Sequence, residues 1–345
     1  MSLRASIFLS ALAAAVFCTP GSPHAQAPVS PPPPAAQSPE SPVARVDGAA
    51  VTVGEVEAAL STALAGRTVS SDLLPRLRAE VLAQLIDRLL VERAIGKSYR
   101  PTPEEVDKAV ARFSQQAKDR GQSLEQILKE RGTNARILRR QLAWQLGWDS
   151  YLRDRLNDAT LKAFFEKHHR EFDGTELRVR HILLRPQPGS KPEDNAKLLA
   201  QAVSLRERIA AGKTTFEQAV RQFSAGPSRG AGGDLGYIPR RGVMVEPFSR
   251  AAFALDKAEL SPPVATSFGV HLIEVTDVRP GNRDWTEVRD ALLPPASQAM
   301  FEQLAAAELK KARIEFTGAL PHFRPGTREL VIAHPSTKEP AAAPK

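Results

Sequence analysis

Three separated stretches hold the residues with the most chemistry to offer. Gly232-Gly233-Asp234-Leu235-Gly236 follows His181 by about 50 residues and precedes Phe268-Gly269-Val270-His271. Taken singly, each is unspecific. Glycine clusters mark tight backbone anywhere, and a lone histidine is more often a braced structural residue than a catalyst. Their order and spacing give them meaning. Two imidazoles flanking a glycine-rich turn, with Phe268 just before the second, together outline a proline-binding site.

Regular elements must hold these residues. Glu176 to Leu184 alternates and then turns fully apolar, as a strand entering a sheet does, which puts His181 on a sheet face. Leu198, Ala202, Leu205 and Ile209 repeat at helical spacing before Gly212. Thr214 and Glu217 have capping-box spacing ahead of a second helix with Phe216, Ala219, Val220 and Phe223 on its apolar face. Leu235, Met244, Phe248, Phe253 and Leu255 follow, then the strand-like Pro263–Thr266 and Val270–Val275. The order reads β-α-α-β-α-β-β.

From Glu176 to about Val278 the chain resembles a parvulin-type peptidyl-prolyl isomerase. The resemblance rests on Arg180-His181-Ile182-Leu183, Gly232 to Gly236, Gly242-Val243-Met244 with Phe248, and Thr266-Ser267-Phe268-Gly269-Val270-His271-Leu272-Ile273, in the family's order. It implies an α+β fold, with a four-stranded antiparallel sheet surrounded by helices. It also implies rotation about an X-Pro amide, whose barrier is about 18–20 kcal/mol and whose uncatalysed exchange takes tens to hundreds of seconds. No bond breaks and no cofactor or metal is required. By the same resemblance Leu235, Met244 and Phe248 form the proline pocket, Phe268 closes it, Thr266 adds a substrate contact, and His181 and His271 are paired imidazoles behind it. On the residues alone, the apolar four are equally core, and the histidines equally sheet braces.

One position departs from the pattern. Parvulins usually place Cys or Asp two residues after the serine of the loop before the glycine turn; here Ser224 is followed by Ala225 and Gly226. Ser228 is the nearest hydroxyl, serving the site or capping a turn. The same loop, Gly226-Pro227-Ser228-Arg229-Gly230, matches the Gly-x-Ser-x-Gly elbow of hydrolases, but a helix stands where that motif needs a strand. Gly230 to Leu235 fails as a dinucleotide fingerprint, because leucine stands where the third glycine belongs.

The remaining sequence sets the context. Arg4, an apolar run from Ile7 to Phe17 and Ala25-Gln26-Ala27 have the form of a secretory signal over 1–27, too short to span a bilayer. Phe17 is too bulky for Cys18 to be a lipidation site, and cleavage after Ala27 removes the only cysteine. A Pro/Ala/Ser linker covers 28–42, and a similar flexible tail covers 325–345. Net charge is +8, with basic and acidic residues interspersed and no aromatic interleaving, which argues against a nucleic-acid partner.

Residues 43–172 read as a helical domain opened by a short strand over 43–48. Its helices carry the stripe Leu82, Leu85, Ile86, Leu89, Leu90, then starts at Thr102 and Ser123, a long helix from about Asn134 to Asn157, and a last one from Thr160. His168 and His169 point about 100° apart on that helix, which suits a solvated helix end better than a metal site. This half resembles SurA- and PrsA-type extracytoplasmic chaperones. The resemblance implies that residues 283–320, a helix broken at Pro294-Pro295 followed by a strand near Phe316, pack back on it. The expectation is an exported chaperone and prolyl isomerase whose partners are unfolded or nascent exported polypeptides with X-Pro bonds, with no membrane partner required. The alternative is the same fold used only for binding.

Overall fold

The computed structural model describes residues 38–65, 67–185, 192–325, 327 and 329–332, and the chain divides into two compact units, Met1–Asn157 with Ser297–Lys345, and Asp158–Ala296. The signal-like residues 1–27 and linker residues 28–37 lie outside the described residues.

The first unit opens with β1 (Pro42–Val46), which turns at Asp47 and Gly48, both at positive φ, into β2 (Ala49–Thr52). Sequence analysis had only the first arm of this hairpin. Pro42 belongs to β1, and the Pro39 carbonyl accepts the Gly54 N–H, so the folded chain begins before the expected linker boundary. Thr52 and Glu55 form a capping box on α1 (Val53–Leu64). Then come α2 (Leu74–Ile95), α3 (Pro103–Lys118), α4 (Leu124–Glu130) and α5 (Ala135–Arg155), with side-chain N-caps at Thr102, Ser123 and Asn134. Val43, Val46, Val51, Val56 and Leu60 pack with Leu82, Ile86, Leu89 and Leu90 of α2 into one core.

The second unit starts with α6 (Asp158–His168). Sequence analysis had carried the helical domain on to 172. The difference has a bonding cause: Arg170 donates to the Leu255 carbonyl, Glu171 pairs with Arg240, and Asp158 pairs with Arg289. His168 stacks on Phe164 and faces Glu171, while His169 Nδ1 meets the Glu166 carbonyl. The chain continues through β3 (Glu176–Leu184), α7 (Pro192–Ala210), α8 (Phe216–Phe223), β4 (Asp234–Pro239), α9 (Glu246–Phe253), β5 (Val264–Thr266) and β6 (Gly269–Arg279). These strands form an antiparallel sheet ordered β4-β3-β6-β5. The capping box of α8 is Thr215 with Gln218, one residue later than expected; Glu217 turns instead to Arg180 and Arg221.

Strand alternation sorts the sheet's two faces. Leu177, Val179, Ile273 and Val275 pack with Phe248 and Phe253 of α9. Ile182, Leu184, Val270 and Leu272 pack with Ala202, Leu205, Phe216 and Val220 of α7 and α8. His181 and His271 share parity with the first set, so both lie on the α9 face.

The chain returns to the first unit within α10 (Arg289–Leu309). This helix runs unbroken through Pro294 and Pro295, contrary to the expected break. The prolines remove two N–H donors from its second turn, and burial of Leu292 and Ala296 on one face offsets that loss. β7 (Ile314–Phe316) then pairs with β1, completing a three-stranded sheet ordered β2-β1-β7. β8 (His322–Phe323) pairs with β9 (Leu330–Val331). The expected tail is therefore structured as far as β9; residues 333–345 lie outside the described residues. Among the described residues no helix is long and apolar enough to cross a membrane.

Candidate active site

The two histidines meet because β3 and β6 pair in one register. His181 stands opposite Ile273, and His271 stands opposite Leu183, so the imidazoles are diagonal neighbours on one face. Their Nδ1 atoms are 3.1 Å apart and their rings stack at 5.3 Å. Phe248, 2% exposed, sets its ring edge-on to both, with centroids 5.8 Å from His181 and 5.3 Å from His271. Leu235 and Met244 pack, half-buried, against the cluster around Phe248.

Hydrogen bonding orders the pair. Thr266 Oγ1 accepts the Phe268 N–H at 3.0 Å and lies 2.8 Å from His271 Nε2, against 3.4 Å from the Gly269 carbonyl. The hydroxyl donates to the Gly269 carbonyl, and its contact with His271 Nε2 holds that ring in place. One of the two Nδ1 atoms donates to the other, which leaves His181 with Nε2 as its remaining ring nitrogen. That Nε2 is buried and has no protein partner, as is the hydroxyl of Ser228. Burial pushes the pKa of His181 down to about 4. Burial first, then His181 and Arg185, push His271 down to about 4 as well. Both rings are neutral at physiological pH.

The glycine turn seats this arrangement. Gly233 has φ of +85°, and a Cβ there would stand 2.5 Å from the His181 carbonyl oxygen, so only glycine lets the turn reach β3. Asp234 is structural: it accepts the Gly236 N–H at 2.9 Å and pairs with Arg178 at 2.7 Å. Ser224, which sequence analysis used only as a landmark, is 2% exposed and accepts the N–H groups of Leu183 and Gly226. Its signal was its place just ahead of the departing position. Ser224 fixes Gly226 against the histidines: a Cβ at 226 would lie 3.1 Å from His181 Nε2.

The family model for the PPIC-type PPIase domain, a rotamase, matches residues 181–277. The chain carries a parvulin-type prolyl isomerase domain. Foldase protein PrsA 1 of Bacillus cereus is 27% identical over 261 residues, covering 74% of this chain and 82% of that protein. Chaperone SurA of Cupriavidus metallidurans is 39% identical over 147 residues, 40% of this chain and 29% of that one. A crystal structure of PrsA from Bacillus anthracis aligns at 23% identity with a TM-score of 0.36, covering 67% of this chain and 96% of that one.

Within the isomerase domain, His181, His271, Thr266 and Phe248 form one connected group, with Leu235 and Met244 on the same apolar cluster. Phe248 is a floor rather than an exposed wall. Phe268 stands half-exposed at the β5–β6 turn, tied in through its backbone N–H. Ser228 sits in the short 3-10 turn Pro227–Ala231.

Proposed function

We propose that the chain isomerises X-Pro bonds in unfolded exported polypeptides and also holds those polypeptides as a chaperone, outside the cytoplasm. The observation that carries the catalytic part is the buried, unpartnered His181 Nε2 on the face floored by Phe248; the Ser228 hydroxyl, in the turn before the glycine run, is likewise buried and unpartnered. Twisting a prolyl amide removes its resonance and leaves a more basic nitrogen. A donor aimed at that nitrogen stabilises the twisted state over the planar one, which is what lowers a barrier. Leu235, Met244 and Phe268 supply apolar contact to the ring, while Thr266 and His271 hold the His181 ring in its orientation. The chemistry needs neither metal nor cofactor.

A protease-coupled assay on a prolyl tetrapeptide tests this. Ser228→Ala in the full chain lowers kcat/KM about tenfold, the scale for losing one neutral hydrogen bond; an unchanged rate removes Ser228 from the site.

A second reading, binding without catalysis, is favoured by Gly226, which offers no side chain where relatives carry Cys or Asp. It predicts no isomerisation by the wild type, with aggregation of an unfolded client still suppressed. The export proposal rests on residues 1–27, and an intact mass starting near Pro28 supports it, whereas retention of Met1 or a lipidated Cys18 overturns it.

A further inference from the structure

The loop from Arg240 to Val245 carries Met244 to the proline pocket, and Glu246 begins α9, which carries Phe248. Little else fastens this loop. Among the described residues, its backbone from Arg241 to Met244 makes no hydrogen bond to other backbone, and Gly242 sits at φ of +90°. The N-terminus of α9 is equally unsupported, since its N-cap, Val245, has no side chain able to cap it. Val243, at the tip, is 61% exposed.

Across the mouth of this loop lies one guanidinium. Arg240 is 8% exposed and donates from Nη1 and Nη2 to both Glu246 oxygens, at 2.8 and 2.7 Å. Its Nε donates to Glu171 at 3.0 Å. The next residue repeats the attachment, with the Arg241 guanidinium 5.0 Å above the Phe172 ring. Consecutive arginines thus dock the pocket loop onto consecutive residues, Glu171 and Phe172, of the segment leading into the domain. That segment precedes the residues matched as isomerase, 181–277.

We infer that Arg240 is a positioning residue for the isomerase: its fork to Glu246 and Glu171 closes the Arg240–Glu246 loop and fixes Met244 and Phe248 at the spacing that grips a proline ring. The fork is specific to arginine. A planar guanidinium satisfies one carboxylate bidentately and a second through Nε, whereas an ammonium is a point charge. Arg240 is the buried member, so removing its carboxylates leaves a desolvated guanidinium, and removing Arg240 leaves the loop open. This inference rests on the proposed isomerase reading, because it assigns Met244 and Phe248 to substrate.

The test uses the full chain with methyl-labelled methionine. Met244 reports the loop, and Met300, in the other unit, controls for folding. Arg240→Gln moves the Met244 methyl resonance toward its random-coil position and leaves Met300 in place. It raises KM for a prolyl tetrapeptide about fivefold with kcat within about twofold, as expected when binding geometry is loosened and the chemistry is intact. Arg240→Lys recovers part of both effects. Glu171→Gln, which leaves the Arg240–Glu246 contact in place, gives a smaller change in the same direction and decides the matter if Arg240→Gln does not fold. An unmoved Met244 resonance with unchanged KM in either folded variant overturns the inference. If the wild type turns over no peptide, the isomerase reading fails by itself, while the Met244 resonance and peptide affinity still judge the clamp.

Discussion

The helical unit and the α9 face of the isomerase sheet use partly buried polar groups differently. In the first unit, Arg78 pairs with Glu57, Arg88 with Glu92 and Arg140 with Glu55, and Trp148 stacks between Trp144 and Tyr151. On the α9 face of the sheet, two neutral imidazoles are buried in series and their last nitrogen is left open. Ion pairs of this kind tie a scaffold together. Leaving a buried polar group unpaired costs stability and is retained where something must be bound.

Paired truncations test that contrast, and they carry the largest expected effect. Phe248→Ala costs about 3–5 kcal/mol of stability and Leu90→Ala about 2–5 kcal/mol, since both side chains are at most 2% exposed. Only Phe248→Ala abolishes isomerisation in the peptide assay, run well below the melting temperature. Equal loss of activity from Leu90→Ala would erase the distinction.

Next in size is a pH effect of the sheet's two histidines. His181 and His271 titrate near 4 in the fold and near the ordinary 6.5 when unfolded. Between those values the unfolded chain takes up protons that the folded chain refuses, so stability falls as pH drops from 6.5 toward 4 and levels off below. The loss is at most about 3 kcal/mol per histidine, and less in total for a coupled pair. Denaturant melts at several pH values measure it, and His271→Gln flattens the curve. Neutral rings also predict an isomerisation rate level between about pH 6 and 8.

Met244→Ala sharpens the comparison further, weakening prolyl-peptide binding by about 1–3 kcal/mol as its apolar contact is lost. Titration calorimetry against wild type reads this directly. The smallest change in stability accompanies Gly226→Asp. The glycine has φ of −77°, which any residue adopts, and its nearest neighbours are His181 Nε2 at 3.1 Å and Leu183 and Ser224 at 3.5 Å. A carboxylate there faces the unpartnered His181 Nε2, and we expect about a tenfold faster rate at a cost under about 1 kcal/mol. A slower, fully folded variant would mean that this nitrogen serves substrate best when left alone.

The site was more legible in the sequence than the scaffold, for a physical reason. Gly233 is obligatory where backbone approaches backbone, and histidines must share parity on paired strands, so short motifs survive as signatures. Caps such as Thr102 with Glu105 were equally plain. Arg240 was invisible, because its partners Glu171 and Glu246 sit 69 and 6 positions away with nothing in spacing to link them. The prolines of α10 misled, since local propensity says break and the burial of Leu292 says continue. The β8–β9 pair was missed because two-residue strands leave no period to detect.

Consider finally the pairing of β1 with β7. Thr317 donates to the Pro42 carbonyl across 275 positions of chain, with the whole contiguous unit Asp158–Ala296 lying between them. A chain emerging from one end presents residues 38–52 long before their strand partner exists. The isomerase domain can therefore fold early, while the three-stranded sheet must wait until nearly the whole polypeptide has been delivered. During that interval Val43, Val46 and Val51 are uncovered on one side, so a protein read here as a guardian of unfinished chains passes through the same exposed condition as its clients.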